Sequence, residues 1–151
     1  MKATGTKEEQ YKSLLPQIKA LLEGEEDLVA NMANVVAALK EQFGWLWVGF
    51  YRVVKEELVL GPFQGPIACT RIAKGRGVCG TSWAEGRTLI VPDVSKFAGH
   101  IACNSFSRSE IVVPYYDEKG IAGVLDVDHH LEDHFDETDK KFLEEIVKLL
   151  S

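Results

Sequence analysis

Leu14, Leu15, Ile18, Leu21 and Leu22 recur at helical spacing and stop at Gly24. Leu28, Met32, Val35, Val36, Leu39 and Phe43 resume that spacing and stop at Gly44. The pattern predicts two amphipathic helices, and then the period changes. Residues 45–54 (WLWVGFYRVV) are aromatic and β-branched, which is strand composition, and residues 57–60 (ELVL) read as a hairpin partner joined through Lys55 and Glu56. GPFQGP then punctuates the chain. Residues 67–72 read as a short strand, 77–85 as a short helix and 88–91 as another strand. Residues 92–108 are rich in Ser, Gly and Asn and carry no clear period. Two further strands, 110–116 and 121–127, flank the turn DEKG. Helical spacing returns over 136–150, with Asp136 or Thr138 as cap and Phe142, Ile146, Leu149 and Leu150 along one face. Hairpins build antiparallel sheets and helices segregate to cover them, so the expectation is an α+β sandwich rather than a doubly wound sheet.

The bulk numbers narrow the class. At 151 residues, with 46% hydrophobic and 26% charged positions, the chain suits one compact domain over residues 1–151, able to bury a core without disulfide staples. The net charge is −6, from 17 Lys and Arg against 23 Asp and Glu, and no segment concentrates the basic residues. That argues against a nucleic-acid surface. No run approaches the roughly 18 apolar residues of a membrane span. The opening MKATGTKEEQ has no apolar signal region, so the expected setting is the reducing cytoplasm, without membrane contact.

Candidate chemistry centres on three cysteines, Cys69, Cys79 and Cys103, in neither a CxxC nor a zinc-knuckle arrangement. Residue chemistry alone leaves two readings open: small buried core residues, or redox thiols. Cys79 lies inside KGRGVCG, whose Gly75, Gly77 and Gly80 have G-x-G-x-x-G spacing. A dinucleotide site needs a crossover helix after that loop, and the stretch from Gly80 to Arg87 is too short to supply one. The alternative is a flexible turn that houses a thiol. Cys103 lies in GHIACNSFSRSE among small polar residues, with His100 and Arg108 as nearby cations.

Two strands point to a small ligand. Alternation places Trp47, Gly49 and Tyr51 on one face, where Gly49 leaves a gap between two rings able to hold a cationic or sulfur-containing group. It also puts Asp126 and Asp128 on one face, with Glu110 on a neighbouring strand. Such carboxylates bind an ammonium, share a proton, or simply mark a solvated sheet end. The cluster DVDHHLEDH offers Asp126, Asp128, His129, His130 and His134, but no helical period aligns the histidines, so no metal site is expected.

WVGFY, VLGPFQGPIAC, GRGVCGTSW, the IAC ending at Cys103, SEIVVP and GVLDVD together resemble the free methionine-R-sulfoxide reductases, a catalytic branch of the GAF-domain fold. The similarity runs from about Trp47 to Phe135, and the order GPFQGPIAC, GRGVCG, SEIVVP is its most specific part. The resemblance implies a GAF-like domain with a central antiparallel sheet of about six strands flanked by N- and C-terminal helices, in domains that are often homodimers. It implies Cys103 as the attacking cysteine and Cys79 and Cys69 as the other redox cysteines. Cys79 is the favoured first partner and Cys69 stays open. It implies Trp47 and Tyr51 as aromatic pocket residues and Glu110, Asp126 and Asp128 as the acidic trio that contacts the substrate. The implied activity is reduction of free L-methionine R-sulfoxide through a thiolate, sulfenic acid and disulfide, with no bound cofactor or metal and with thioredoxin as reductant. The rival expectation is a GAF-type module that senses a small ligand without chemistry.

Overall fold

The computed structural model describes residues 2–99 and 106–150. Helix α1, Lys7–Leu22, starts at a capping box in which Thr6 and Glu9 exchange side-chain and backbone bonds, and it buries Tyr11, Leu14, Ile18 and Leu22. Helix α2, Leu28–Phe43, is capped by Asp27, stops at Gly44, and buries Met32, Val35, Val36 and Leu39. Strands β1, Trp47–Val54, and β2, Glu57–Gln64, form the first hairpin. β3, Arg71–Ala73, leads into α3, Gly77–Glu85, and then β4, Leu89–Val91. A single 3-10 turn, Val94–Lys96, follows. β5, Ser109–Asp117, and β6, Gly120–His129, form the second hairpin. Helix α4, Glu137–Lys148, begins at Asp136.

The strands make one sheet in the order β3-β2-β1-β6-β5-β4, antiparallel at every junction. Alternation gives that sheet two different faces. One carries Val48, Phe50, Ile111, Val113, Leu125 and Val127 and packs against α1, α2 and α4. Tyr11 ties two of those helices together: its ring stacks on Phe142, and its hydroxyl donates to the buried Asp139 at 2.6 Å, which Lys7 also pairs at 2.7 Å. The other face carries Trp47, Tyr51, Leu58, Val112 and Val124 under α3 and the loops. The expected α+β architecture is what forms.

Two expectations about elements fail locally. β2 does not stop at GPFQGP but runs through Gly61, Pro62 and Phe63 to Gln64. Pairing jumps from Gly49↔Phe63 to Tyr51↔Leu60, so Gly61 and Pro62 together face Phe50. A bulge of that kind takes a proline without breaking the ladder. Conversely, residues 67–70 are not strand: Ile67 is 90% exposed, and β3 begins only at Arg71. Cys69 therefore sits in the loop ahead of β3 rather than in the strand expected over 67–72.

Candidate functional site

A recess opens between the second sheet face and the start of α3. Register assembles it. Trp47 pairs with Asp128 and Gly49 with Asp126 across β1 and β6, while Glu110 pairs with Asp128 across β5 and β6. Same-face residues on three adjacent strands thus bring two rings and three carboxylates together. α3 adds Val78 and Cys79 from its first turn. The rings form one wall, with Trp47 and Tyr51 stacked at 6.0 Å between centroids and Trp47 against Phe63 at 5.3 Å.

The gap expected over Gly49 is not there. A Cβ on Gly49 would meet Phe63 Cβ at 2.3 Å and the Trp47 ring at 2.6 Å. Glycine lets Trp47 lie down across β1, and the ligand space lies beside the rings rather than between them. Their polar ends are taken up by backbone carbonyls of the loop ahead of β3. Trp47 Nε1 donates to the Pro66 carbonyl at 3.0 Å, and Tyr51 Oη donates to the Cys69 carbonyl at 2.7 Å. The wall thereby anchors the loop that carries Cys69.

Glu110 and Asp126 are 7% and 6% exposed. Burial first, then the charge of Asp126, pushes the Glu110 carboxyl well up; burial and Asp128 do the same to Asp126, and burial and Glu110 to Asp128. Three such groups in one low-dielectric recess favour their protonated forms, and the titration belongs to the trio rather than to one residue. Ser107 Oγ donates to Asp128 Oδ1 at 3.3 Å, while Asp126 Oδ1 is buried without a hydrogen-bond partner.

The cysteines divide. Cys79 is free and buried, its Sγ 3.9 Å from Glu110 Oε2. Burial, then Asp126 and Glu110, holds its thiol well above the usual range, so it stays protonated despite its place at a helix N-terminus. Cys69 stands in a disulfide. Cys103 lies outside the described residues, as does His100.

Each glycine of the G-x-G-x-x-G run has a static reason. Gly75 and Gly77 take φ of +80° and +61°, and a Cβ on Gly80 would meet the Ala73 carbonyl oxygen at 2.5 Å. They bend β3 into α3 and press α3 onto the β3 turn, which seats Cys79 over the carboxylates. α3 is nine residues long and no parallel pair occurs among the described strands, so the loop is no dinucleotide cradle.

The DVDHH cluster splits at the sheet. Asp126 and Asp128 face the recess, whereas His129 turns to the opposite side and clusters with His130 and His134, at 4.4 and 3.9 Å between ring centroids. Sequence reasoning missed Arg76, Ile67 and Ser107, all of which line the recess. Arg76, the cation at its mouth, is legible only as the residue between two glycines, and neither Ile67 nor Ser107 carries any signal. Among the described residues, no helix is long and apolar enough to cross a membrane.

Comparison with known proteins bears on the family and the fold. The GAF domain family model matches residues 27–151. A curated relative from Dictyostelium discoideum, GAF domain-containing protein A, is 66% identical over 97% of this chain and 93% of its own length. The free methionine-R-sulfoxide reductase of Escherichia coli is 44% identical over 95% of this chain and 88% of its own. Among solved structures, the X-ray structure of the free methionine-R-sulfoxide reductase from Neisseria meningitidis in complex with its substrate superposes with a TM-score of 0.97 at 53% identity, covering 99% of this chain and 91% of that one. With the six-stranded sheet, the flanking helices and the acidic recess in place, the chain belongs to the GAF-domain family, in its free methionine-R-sulfoxide reductase branch.

Proposed function

We propose that this protein reduces free L-methionine R-sulfoxide to methionine at the recess under α3. The observation that carries the reading is the carboxylate trio of buried Glu110 and Asp126 with half-buried Asp128, facing a Trp47–Tyr51 wall, in a chain 53% identical to a reductase solved with its substrate. The substrate ammonium pairs with the ionised part of the trio, and its S-methyl lies against the two rings. Arg76 and the Val78 and Cys79 amides in the first turn of α3 are the local partners for its carboxylate, the Gly77 amide being taken by the Gly99 carbonyl. Recognition of both charged ends selects a free amino acid over a residue inside a peptide.

In the chemical step, the Cys103 thiolate attacks the sulfoxide sulfur. The sulfoxide oxygen takes up one proton from the trio and passes from the methionine sulfur to the Cys103 sulfur, so the S–O bond to methionine breaks as the S–O bond to cysteine forms, and methionine leaves with Cys103 as sulfenic acid. A second thiol then displaces water from the sulfenic acid, forming a disulfide. Thioredoxin restores both thiols by exchange. The net change is sulfoxide plus dithiol to sulfide, disulfide and water. The disulfide at Cys69, and the free Cys79 thiol held protonated by burial and then by its carboxylate neighbours, favour Cys69 as the partner of Cys103 over Cys79. Cys79 then belongs to the pocket floor.

Racemic L-methionine sulfoxide, dithiothreitol and the reduced protein test the activity, with methionine followed by chromatography. Half of the racemate is consumed, and Cys103→Ser is inactive. Cys69→Ser still turns over with dithiothreitol, which reduces a sulfenic acid directly, but fails with thioredoxin. Cys79→Ser keeps thioredoxin turnover. Ligand binding without any turnover would replace the enzyme with a sensor, and a Cys79→Ser variant dead only with thioredoxin would restore Cys79 as the partner.

A further inference from the structure

Cys79, Glu110 and Asp126 do more than floor a pocket. One Cys79 Sγ, one Glu110 oxygen and one Asp126 oxygen all lie within 4.8 Å of one another, and all three residues are buried. The Cys79 Sγ to Glu110 Oε2 distance is 3.9 Å. Tetrahedral zinc, with Zn–S near 2.3 Å and Zn–O near 2.0–2.2 Å, holds its sulfur and oxygen ligands roughly 3.6 Å apart. The Cys79–Glu110 pair thus needs to contract by only a few tenths of an ångström. Asp126 Oδ1 supplies an independent sign. It is a carboxylate oxygen in a side chain 6% exposed, and it has no hydrogen-bond partner among the described residues. A buried polar atom of this kind is a standing cost unless something outside the protein completes it.

We propose that Cys79, Glu110 and Asp126 form a binding site for a borderline-soft divalent cation of the zinc class. The donor set sets the metal. One thiolate with two carboxylates suits Zn²⁺, Co²⁺ or Cd²⁺, whereas Mg²⁺ and Ca²⁺ take oxygen alone. The recess leaves the fourth position to water, as in zinc sites that keep an open coordination place. The cation replaces the Cys79 thiol proton and neutralises a cluster whose members repel one another. The metal takes the same carboxylates that the proposed reading gives to the substrate ammonium, so metal and substrate exclude each other. That competition rests on the proposed reading, and the metal site does not.

Cobalt titration of the oxidised protein tests it. With Cys69 in its disulfide, Cys79 is the free thiol among the described residues, and the Cys79→Ser variant tells whether a thiolate-to-cobalt charge-transfer band comes from it. The expected result is one Co²⁺ per chain with that band, displaced by equimolar Zn²⁺. Cys79→Ser abolishes the band, and Asp126→Asn weakens binding on the order of tenfold with the band retained at saturation. Cobalt bound without the band means the histidines of the opposite face hold it, and overturns the site. So does no binding at all, or a band that survives Cys79→Ser. Adding L-methionine sulfoxide lowers metal occupancy. If it does not, while the band behaves as expected, the metal site stands and the ammonium assignment fails.

Discussion

Gly49 shows how much one residue decides here. It pairs with Asp126 across β1 and β6, yet what it provides is room: Trp47 lies over it and Phe63 closes from β2. Gly49→Ala forces a methyl into contacts of 2.3 and 2.6 Å, so either the strands part or Trp47 swings off the wall. Overpacking of this kind destabilises by about 1–3 kcal/mol. The expected result is a lower Tm together with a raised KM for the sulfoxide. A variant that keeps KM unchanged while losing stability would show that Trp47 does not contact the substrate. Period-2 alternation was enough to place Trp47, Gly49 and Tyr51 on one face, because side-chain direction along a strand is fixed by geometry. It could not tell which way the Trp47 ring lies, because that is a rotamer choice made by Phe63, a residue on another strand. The same holds for Asp126 and Asp128, whose shared face was legible, while the unpartnered Oδ1 of Asp126 was not.

At the level of elements, α3 and its glycine run carry the site. Helices α1, α2 and α4 and both hairpins were readable from local period and caps, and α3 only as a short stretch between glycines, since it has no side-chain cap. The β2–β3 connection was not. Pro62 reads as a strand breaker, and it is absorbed only because a bulge lets Gly61 and Pro62 together face Phe50. A long-range pairing thus overrode a local signal. The glycine run was likewise legible as punctuation but not in its reason. Gly80 is set against Ala73, so that α3 leans on the β3 turn and brings Cys79 over Glu110. Gly80→Ala puts a methyl 2.5 Å from the Ala73 carbonyl oxygen, a backbone atom that cannot swing aside. We expect α3 to lift, lowering Tm by several degrees. Cys79 then reacts faster with a thiol reagent than in the parent protein. Unchanged thiol accessibility would mean that Gly80 does not seat the helix.

Across the whole molecule, strand β6 sets the pH range of stability, because its two faces bury groups that resist charging from opposite directions. On the recess side, Glu110, Asp126 and Asp128 are all pushed up by burial and by one another. A carboxyl raised in the folded state binds more protons there than in the unfolded chain, so its stabilising effect is present at low pH and is lost as pH rises through the folded values. On the helix side, His129 is 7% exposed with an unpartnered Nδ1, and burial, then His134, His130 and Lys40, lower it to about 4. A histidine lowered in the folded state stays neutral there while the unfolded chain protonates, so stability falls as pH drops from about 6.5 toward 4. Burial likewise lowers His134, which adds to the same acid limb. The predicted Tm profile is a dome that declines on both sides, with each limb assigned to a different face. Asp126→Asn removes an ionisable member of the trio. It should raise Tm on the alkaline side while abolishing sulfoxide binding, the usual opposition of stability and function at a charged site. His129→Leu should flatten the acid limb and leave the alkaline limb alone. Calorimetry of the parent and both variants across that range decides it. If Asp126→Asn instead lowers the alkaline limb, the trio is held ionised by partners in the fold, and the repulsion that makes it a cation site is absent.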